Sequence, residues 1–367
     1  MKEKRFLPDG WAVYGGLALL LLLGLGAFVF RQDFSFWEKR YLAEPPKNYS
    51  PVEWTLNSDL ETYLSDQLPF RRVFVALDAQ AQALTGRAVQ LGAWPTGDAI
   101  VEKPVETDAD TLLRRVAALR GFAGDTPCRF LTPPTAGMLK MGEMTAARRA
   151  VYELEAETYD TLARQEDFIP LREAFENSEE VVYYRTDHHW TLEGAYLAYR
   201  AYCSSAGLEP LEKDNFEISD CGAFLGTTYT RSGLPFARAD TLICAEPKTP
   251  VTVRFDGEAY DHLIFPEEAQ TYDGYAVYLK GNHGLLTVEN LAGERGTLFI
   301  CKDSYANSLI PFLSAHYRRI VAVDARYYTG TFADALAEAG DAEEILFLYS
   351  MDSLANDTAV TRKLRAR

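Results

Sequence analysis

From Trp11 to Phe30 the chain holds no charged residue, and within that stretch Leu19-Leu20-Leu21-Leu22-Leu23 runs without interruption. About twenty apolar residues at roughly 1.5 Å rise each match the ~30 Å hydrocarbon core of a bilayer, so this segment is expected to be a transmembrane helix rather than part of a folded core. Lys2, Lys4 and Arg5 stand before it and only Arg31 follows closely. This bias keeps the amino terminus in the cytoplasm and puts everything after the helix outside. A cleaved signal peptide has a shorter apolar region and a small-residue cleavage site, and no such site follows Phe30. The expected layout is a cytoplasmic tail over 1–10, a signal anchor over 11–30 in the cytoplasmic membrane, a stalk over 31–55 and an extracytoplasmic α/β domain over 56–367.

The exported part is long enough for a sizeable core. The whole chain carries 37 Lys and Arg against 53 Asp and Glu, a formal net charge of −16. Such a surface repels polyanions, which argues against a nucleic-acid partner. The five cysteines, at 128, 203, 221, 244 and 301, form an odd set without close pairs. Neither a disulfide scaffold nor a zinc finger fits that spacing.

Pro45-Pro46 interrupts the stalk, and apolar positions at helical intervals on both sides of Pro69 predict two helices with a break between them. Trp94-Pro95-Thr96-Gly97-Asp98 reads as a hairpin turn, and Thr107 or Asp108 as the cap of a helix through Leu119. Phe130-Leu131 ends a strand, Met144 to Arg164 is a helix, and Val181 to Tyr184 reads as a short strand. A helix capped by Thr191 then runs to Gly207. Residues 209–290, rich in Gly, Pro and aromatics, read as a β-rich insertion. Beyond Gly296 strands and helices alternate: Thr297 to Cys301, Tyr305 to His316, Arg319 to Val323, Thr331 to Ala339, Glu343 to Tyr349. Such alternation implies a parallel sheet flanked by helices, with ligands at the carboxyl ends of its strands.

Ser304 sits where the first of those strands turns into a helix. There its hydroxyl would lie beside free backbone N–H groups that favour a developing oxyanion. Helix capping by Asp303 or Ser304 explains that segment equally well on its own. Asp187-His188-His189-Trp190 changes the balance, because the chain has only five histidines and two are adjacent here. A serine hydroxyl needs a base, and an Asp-x-His pair lets the carboxylate fix the imidazole tautomer. Ser304 is therefore the expected nucleophile, His189 the base, Asp187 its orienter and Trp190 a wall that keeps the pair dry. His188 is left for substrate. Metal binding by Asp187, His188 and His189 is the weaker reading, since adjacent side chains seldom converge on one ion. Gly281 and Asn282, in Lys280-Gly281-Asn282-His283-Gly284, could serve as backbone approach and oxyanion donor or simply form a turn. Arg326, Tyr327 and Tyr328 follow another strand end, where the tyrosines could stack on a ring-shaped ligand as readily as fill a core, the commoner use of such aromatics.

The strings Thr186-Asp187-His188-His189-Trp190-Thr191, Gly281-Asn282-His283 and Lys302-Asp303-Ser304-Tyr305-Ala306-Asn307-Ser308 resemble the bacterial DHHW protein family. That family is similar to the SGNH-like O-acetyltransferases of alginate and other exopolysaccharides. The resemblance implies an SGNH-hydrolase-like, flavodoxin-like fold and assigns Ser304, His189 and Asp187 the same roles. Asp-x-His here precedes Ser, the reverse of ordinary SGNH esterases. Lys302 stands where a Gly is usual, and His188 where the alginate proteins often have a small polar residue. It further implies a glycan substrate at the cell surface and, for transfer, a multi-spanning membrane O-acyltransferase as acyl donor. No cofactor is expected, because side chains carry the whole reaction. The expected activity is O-acetyl transfer or acetyl-ester hydrolysis through an acyl-enzyme. The alternative is a binding or assembly factor of the same fold without turnover.

Overall fold

The computed structural model describes residues 11–46, 55–89 and 92–365. The expected tail over 1–10 and stalk residues 47–54 lie outside that set. The chain forms two compact units, one of residues 1–91 with 230–236 and one of 92–229 with 237–367.

In the first unit, α1 spans Trp11–Val29, and it is the one described helix long and apolar enough to cross a membrane. Helices α2 (Thr55–Asp66) and α3 (Arg71–Leu84) follow the expected break at Pro69. The chain reverses there through Phe70, whose φ of 61° is left-handed. Tyr63 of α2 donates its hydroxyl to the Ala27 carbonyl of α1 at 3.0 Å. Asp66, at the end of α2, takes a bidentate pair from Arg40 at 2.6 and 2.8 Å.

The second unit is built on an eight-stranded sheet. In chain order its strands are β1 (Cys128–Leu131), β2 (Phe168–Ile169), β3 (Thr252–Phe255), β4 (Glu258–Tyr260), β5 (Leu285–Glu289), β6 (Arg295–Lys302), β7 (Tyr317–Asp324) and β8 (Ala342–Leu348). Their spatial order is β4-β3-β5-β7-β6-β8-β1-β2. From β7 to β2 every pairing is parallel, as the strand-helix alternation predicts. The edge formed by β5, β3 and β4 is antiparallel. These three strands come from the 209–290 insertion, so the sheet is mixed rather than purely parallel. Antiparallel strands join through short links and need no crossover helix, which suits a segment poor in helical periodicity.

Buried on both faces, the central strands have apolar side chains at successive positions. Leu298 and Ile300 of β6 pack with Ile320 and Ala322 of β7 against α6 (Leu192–Ala206) and α7 (Ala306–Leu313). Phe299 and Cys301 point the other way with Val321 and Val323, toward α4 (Ala109–Ala123), α5 (Ala146–Ala163) and α8 (Phe332–Ala339). The period of two along each strand assigns its residues to the two layers.

The rest of the insertion includes a hairpin of Phe216–Phe224 with Asp240–Pro247, bulged between Asp220 and Gly222. Cys221 and Cys244 lie across it with sulfurs 3.3 Å apart, and all five cysteines are free. The turn at Trp94–Thr96 and Ala99–Val101 forms as expected. Val181 to Tyr184, in contrast, is not a strand: it makes a single bridge, Tyr183 to Trp190. The chain folds back on itself, with Tyr184 N–H donating to the His189 carbonyl and Thr191 N–H to the Val182 carbonyl. Its partner is its own downstream segment, and the loop between them carries the tetrad.

Candidate active site

The site lies at the carboxyl end of β6, where the tip of that loop meets the strand end. Imidazole Nδ1 of His189 is 2.5 Å from Asp187 Oδ1, and Nε2 is 2.7 Å from Ser304 Oγ. An ionised carboxylate can only accept, so Nδ1 carries the proton and the Nε2 lone pair faces the serine hydroxyl. Asp187 and His189 are buried and Ser304 is half-buried.

Asp187 is held by more than its partner. Oδ1 also accepts the His189 N–H at 3.0 Å, and Oδ2 accepts the Thr227 N–H at 2.6 Å. Burial pushes this carboxyl upward, but His188 and His189 beside it and its hydrogen bonds override that and hold it well below the usual carboxylate range. His189 moves down from its ordinary value because burial and the neighbouring His188 disfavour the cation, against the pull of Asp187. The base therefore stays neutral, and able to accept, to lower pH than a solvated histidine.

Two tyrosine rings pack on the imidazole, and an indole backs one of them. Tyr275 stacks on His189 at 3.8 Å between centroids and 8° between planes, and Tyr305 packs at 5.0 Å. Trp190, fully buried, packs edge-on against Tyr305 and donates its indole N–H to Ser308 Oγ at 2.7 Å. Tyr275 reaches the same Ser308 hydroxyl at 2.9 Å. Trp190 is thus a wall beneath the site, and its burial keeps it from direct contact with an incoming substrate.

The loop itself hangs on Asp240, which accepts the N–H groups of Arg185 and Thr186 and the Thr186 hydroxyl, the last at 2.6 Å. Gly226 lies against Asp187 so closely that an added Cβ would fall 2.2 Å from the Asp187 Cβ. On the nucleophile side, Asp303 accepts from Tyr305 N–H at 3.0 Å and from Ser350 N–H at 2.7 Å, which pins the turn after β6. It braces the turn on both sides of Ser304.

Lys302 is fully buried beside Asp324, its register partner on β7. Burial lowers its ammonium from 10.5 to about 8, with Asp324 opposing the shift. Its Nζ donates to Asn307 Oδ1 at 2.7 Å. An ammonium can only donate, so the Asn307 oxygen faces it and the Asn307 NH₂ points the other way. That NH₂ donates to the Gly281 carbonyl at 3.3 Å and to Asn282 Oδ1 at 3.1 Å. The relay leaves the Asn282 NH₂ as the end turned away from Asn307.

His188 lies 4.0 Å from the His189 ring centroid, with Nδ1 3.6 Å from Glu102 Oε1, and its carbonyl accepts from the Tyr305 hydroxyl. Arg326 folds back onto Asp324 in a bidentate pair at 2.9 and 2.6 Å, while Tyr327 is exposed. The donor atoms of Asp187, His188 and His189 lie within 4.8 Å of one another. Asp187 and His189 nevertheless spend their ligating atoms on each other, on Thr227 and on Ser304. This arrangement suits proton transfer better than an ion.

The chain matches the DHHW protein family. Its model covers residues 159–323, from α5 to the end of β7, and includes the tetrad and Ser304. A DHHW family protein from Eubacterium siraeum superposes with a TM-score of 0.62 at 21% identity, over 76% of this chain and all of that one. PatB1 of Bacillus cereus, solved with a sulfonyl adduct, gives 0.60 at 19% identity over 73% of this chain and 97% of that one. No curated protein matches the sequence. The DHHW resemblance read from the sequence is therefore borne out, and the shared α/β fold with it. Tyr275, Gly226, Thr227 and Asp240 went unread in the sequence, since each lies far along the chain from the tetrad and none belongs to a spaced motif. Ser308 had a signal: it stands one helical turn beyond Ser304.

Proposed function

We propose that the chain is a membrane-anchored, outward-facing SGNH-like O-acyltransferase or acetylesterase acting on hydroxyl groups of a cell-surface or secreted glycan. The observation that carries this reading is the unbroken hydrogen-bonded line from Asp187 through His189 to Ser304 at the end of a parallel strand. Ser304 Oγ attacks the acyl carbonyl as His189 Nε2 takes its proton. That proton passes to the departing alkoxide, leaving an ester on Ser304. An acceptor hydroxyl then attacks the ester, with His189 as base, and Ser304 is regenerated. Asp187 stabilises the imidazolium in both halves. On this reading Asn282 would donate to the oxyanion, and His188 and the exposed Tyr327 would contact the glycan, with Arg326 available only if it leaves Asp324. A sugar hydroxyl as acceptor makes a transferase and water makes an esterase. The donor in the first case would be a multi-spanning membrane acyltransferase that passes acetyl groups across the bilayer.

The test is covalent labelling of the full chain in detergent. Phenylmethylsulfonyl fluoride and an aryl acetate are each followed by intact mass, with Ser304→Ala and His189→Ala beside the wild type. A single adduct on wild type that is lost in both variants is the expected result. Folded wild type that stays unlabelled by both probes and by a natural acetyl donor would refute the enzymatic reading in favour of a binding or assembly role.

A further inference from the structure

Helix α3 has two apolar faces. Val75 and Ala79 form one, and the chain covers it itself: a Cβ at Gly233 would lie 2.6 Å from Val75 Cγ1 and 3.6 Å from Ala79 Cβ. The other begins at Phe70 and continues through Val73, Phe74 and Leu77, positions that share one side of a helix. These are 76%, 54%, 48% and 58% exposed, so the described chain leaves them uncovered. A water-facing stripe of this kind is costly unless something apolar meets it.

The place where the stripe starts says what meets it. The two buried residues of α1 are Gly26 and Ala27. Pro69 covers the first, where a Cβ on Gly26 would fall 2.6 Å from Pro69 Cγ, and the Tyr63 hydroxyl bonds the carbonyl of the second. At about 1.5 Å per residue the 19 residues of α1 reach roughly 28 Å, so a bilayer core of ~30 Å uses the whole helix. Gly26 then lies at or inside the hydrocarbon boundary. Pro69 touches it, and Phe70 is the next residue.

We infer that the Pro69 elbow and the Phe70–Leu77 face of α3 lie in the headgroup and outer acyl region of the membrane that α1 spans, so that lipid is the missing partner of this face. The inference rests on the reading of α1 as a spanning helix. The flanking chemistry fits a lipid interface. Phe36, Trp37 and Tyr41 are exposed in the segment that leaves α1, and the Arg72 guanidinium lies 3.3 Å over the Trp37 ring. Aromatic rings and arginines concentrate at that depth, the latter toward anionic headgroups.

The experiment uses the full chain, with Cys128→Ser as background, in vesicles of phosphatidylethanolamine with a minor share of phosphatidylglycerol. Nitroxide labels at Phe74→Cys and Leu77→Cys are compared with Leu21→Cys in mid-α1 and Asp78→Cys on the flank of α3. Collision with oxygen reports lipid and collision with a nickel chelate reports water. The expected oxygen-to-nickel ratio at 74 and 77 exceeds that at 78 and shifts toward that at 21. Nickel-accessible labels at 74 and 77, with oxygen-rich Leu21→Cys, would overturn the inference while leaving the anchor intact. Labels shielded from both reagents would overturn it in favour of a protein cover, a second copy or an integral partner. A nickel-accessible label at 21 would overturn the anchor and this inference together.

Discussion

Gly226→Ala should disable the site without touching Ser304, His189 or any substrate. The new Cβ would lie 2.2 Å from Asp187 Cβ and 2.5 Å from Oδ2. Carbon atoms rest about 3.5–4.0 Å apart, so roughly 1.3 Å of separation has to be found. Asp187 cannot retreat freely, because Oδ1 is held by two donors of His189. If the Gly226 backbone retreats instead, Thr227 N–H leaves Oδ2 and Gly226 N–H leaves Thr186 Oγ1, bonds of 2.6 and 3.0 Å. Overpacking of this size costs about 1–3 kcal/mol, and loss of a hydrogen bond to a buried carboxylate a further ~1.5–3 kcal/mol. A misplacement of about 1 Å in a catalytic group lowers rate on the order of 10²-fold, and complete loss of the orienting carboxylate about 10⁴-fold. The rate of Ser304 sulfonylation by phenylmethylsulfonyl fluoride, read by intact mass, should fall within that span, with a thermal midpoint lowered by several degrees. Gly121→Ala in α4 is the control, since its Cβ would meet nothing within 4 Å. A Gly226→Ala protein that labels at the wild-type rate would refute the claim that Asp187 placement limits reactivity.

Three further outcomes are expected. Asp187→Asn should keep the fold but lose about 10²- to 10⁴-fold in labelling rate, because either the imidazolium loses its counter-charge or the amide NH₂ forces the wrong tautomer; a loss under tenfold would count against the assigned role. The acid limb of the labelling rate should fall below the ordinary histidine range of about 6.5, since the shift on His189 is downward, and His188→Gln should move that limb back up by removing a neighbour that disfavours the His189 cation; a limb that ignores His188→Gln would argue against the coupling. Lys302 titrates at about 8 when folded and near 10.5 when unfolded, so the unfolded chain binds more protons between those values. Wild-type stability relative to Lys302→Met should therefore rise with pH across that window, by chemical denaturation, and a flat difference would contradict a buried ammonium.

That Ser304, His189 and Asp187 meet was legible in the sequence because each carried a local signal: two adjacent histidines after an aspartate, and a serine where an apolar strand breaks into a helix. The parallel half of the sheet was legible for a related reason. Leu298 to Cys301 and Ile320 to Val323 are apolar at successive positions and separated by a helical stretch, a pattern few other folds produce. The antiparallel edge was not. Leu285–Glu289 and Thr252–Phe255 alternate in burial like many surface hairpins, and nothing local says which sheet they join. Val181 to Tyr184 has the β-branched and aromatic composition of a strand, but six residues later the chain has turned back to build the tetrad loop. Composition favours an extended backbone there without naming its partner. Tyr275 and Asp240 were invisible because their importance lies in contacts 86 and 54 residues away along the chain, with His189 and with Thr186.

The reverse order of Asp-x-His and Ser along the chain follows from how the parts are carried. Only Ser304 needs the sheet, since the strand-to-helix turn after β6 is what presents its hydroxyl. Asp187 and His189 ride together on one loop, held by its own hydrogen bonds and by Thr227 and Asp240, so the loop can enter from any point in the sequence that reaches the end of β6. Two cross-links weld it to the nucleophile segment: the indole of Trp190 on Ser308 and the Tyr305 hydroxyl on the His188 carbonyl. The stacking ring Tyr275 and the amide Asn282, by contrast, both come from the 209–290 insertion. The hydrogen-bonded line of Asp187, His189 and Ser304 thus lies on two segments, while the ring over the imidazole and the end of the amide relay come from a third that also buttresses Asp187 through Thr227. On the proposed reaction, a change at Tyr275 or Asn282 would alter which hydroxyl reaches an acyl-enzyme and how well water is kept from it, whereas a change at Gly226, Thr227 or Asp240 of the same insertion would disturb the Asp187–His189–Ser304 line itself.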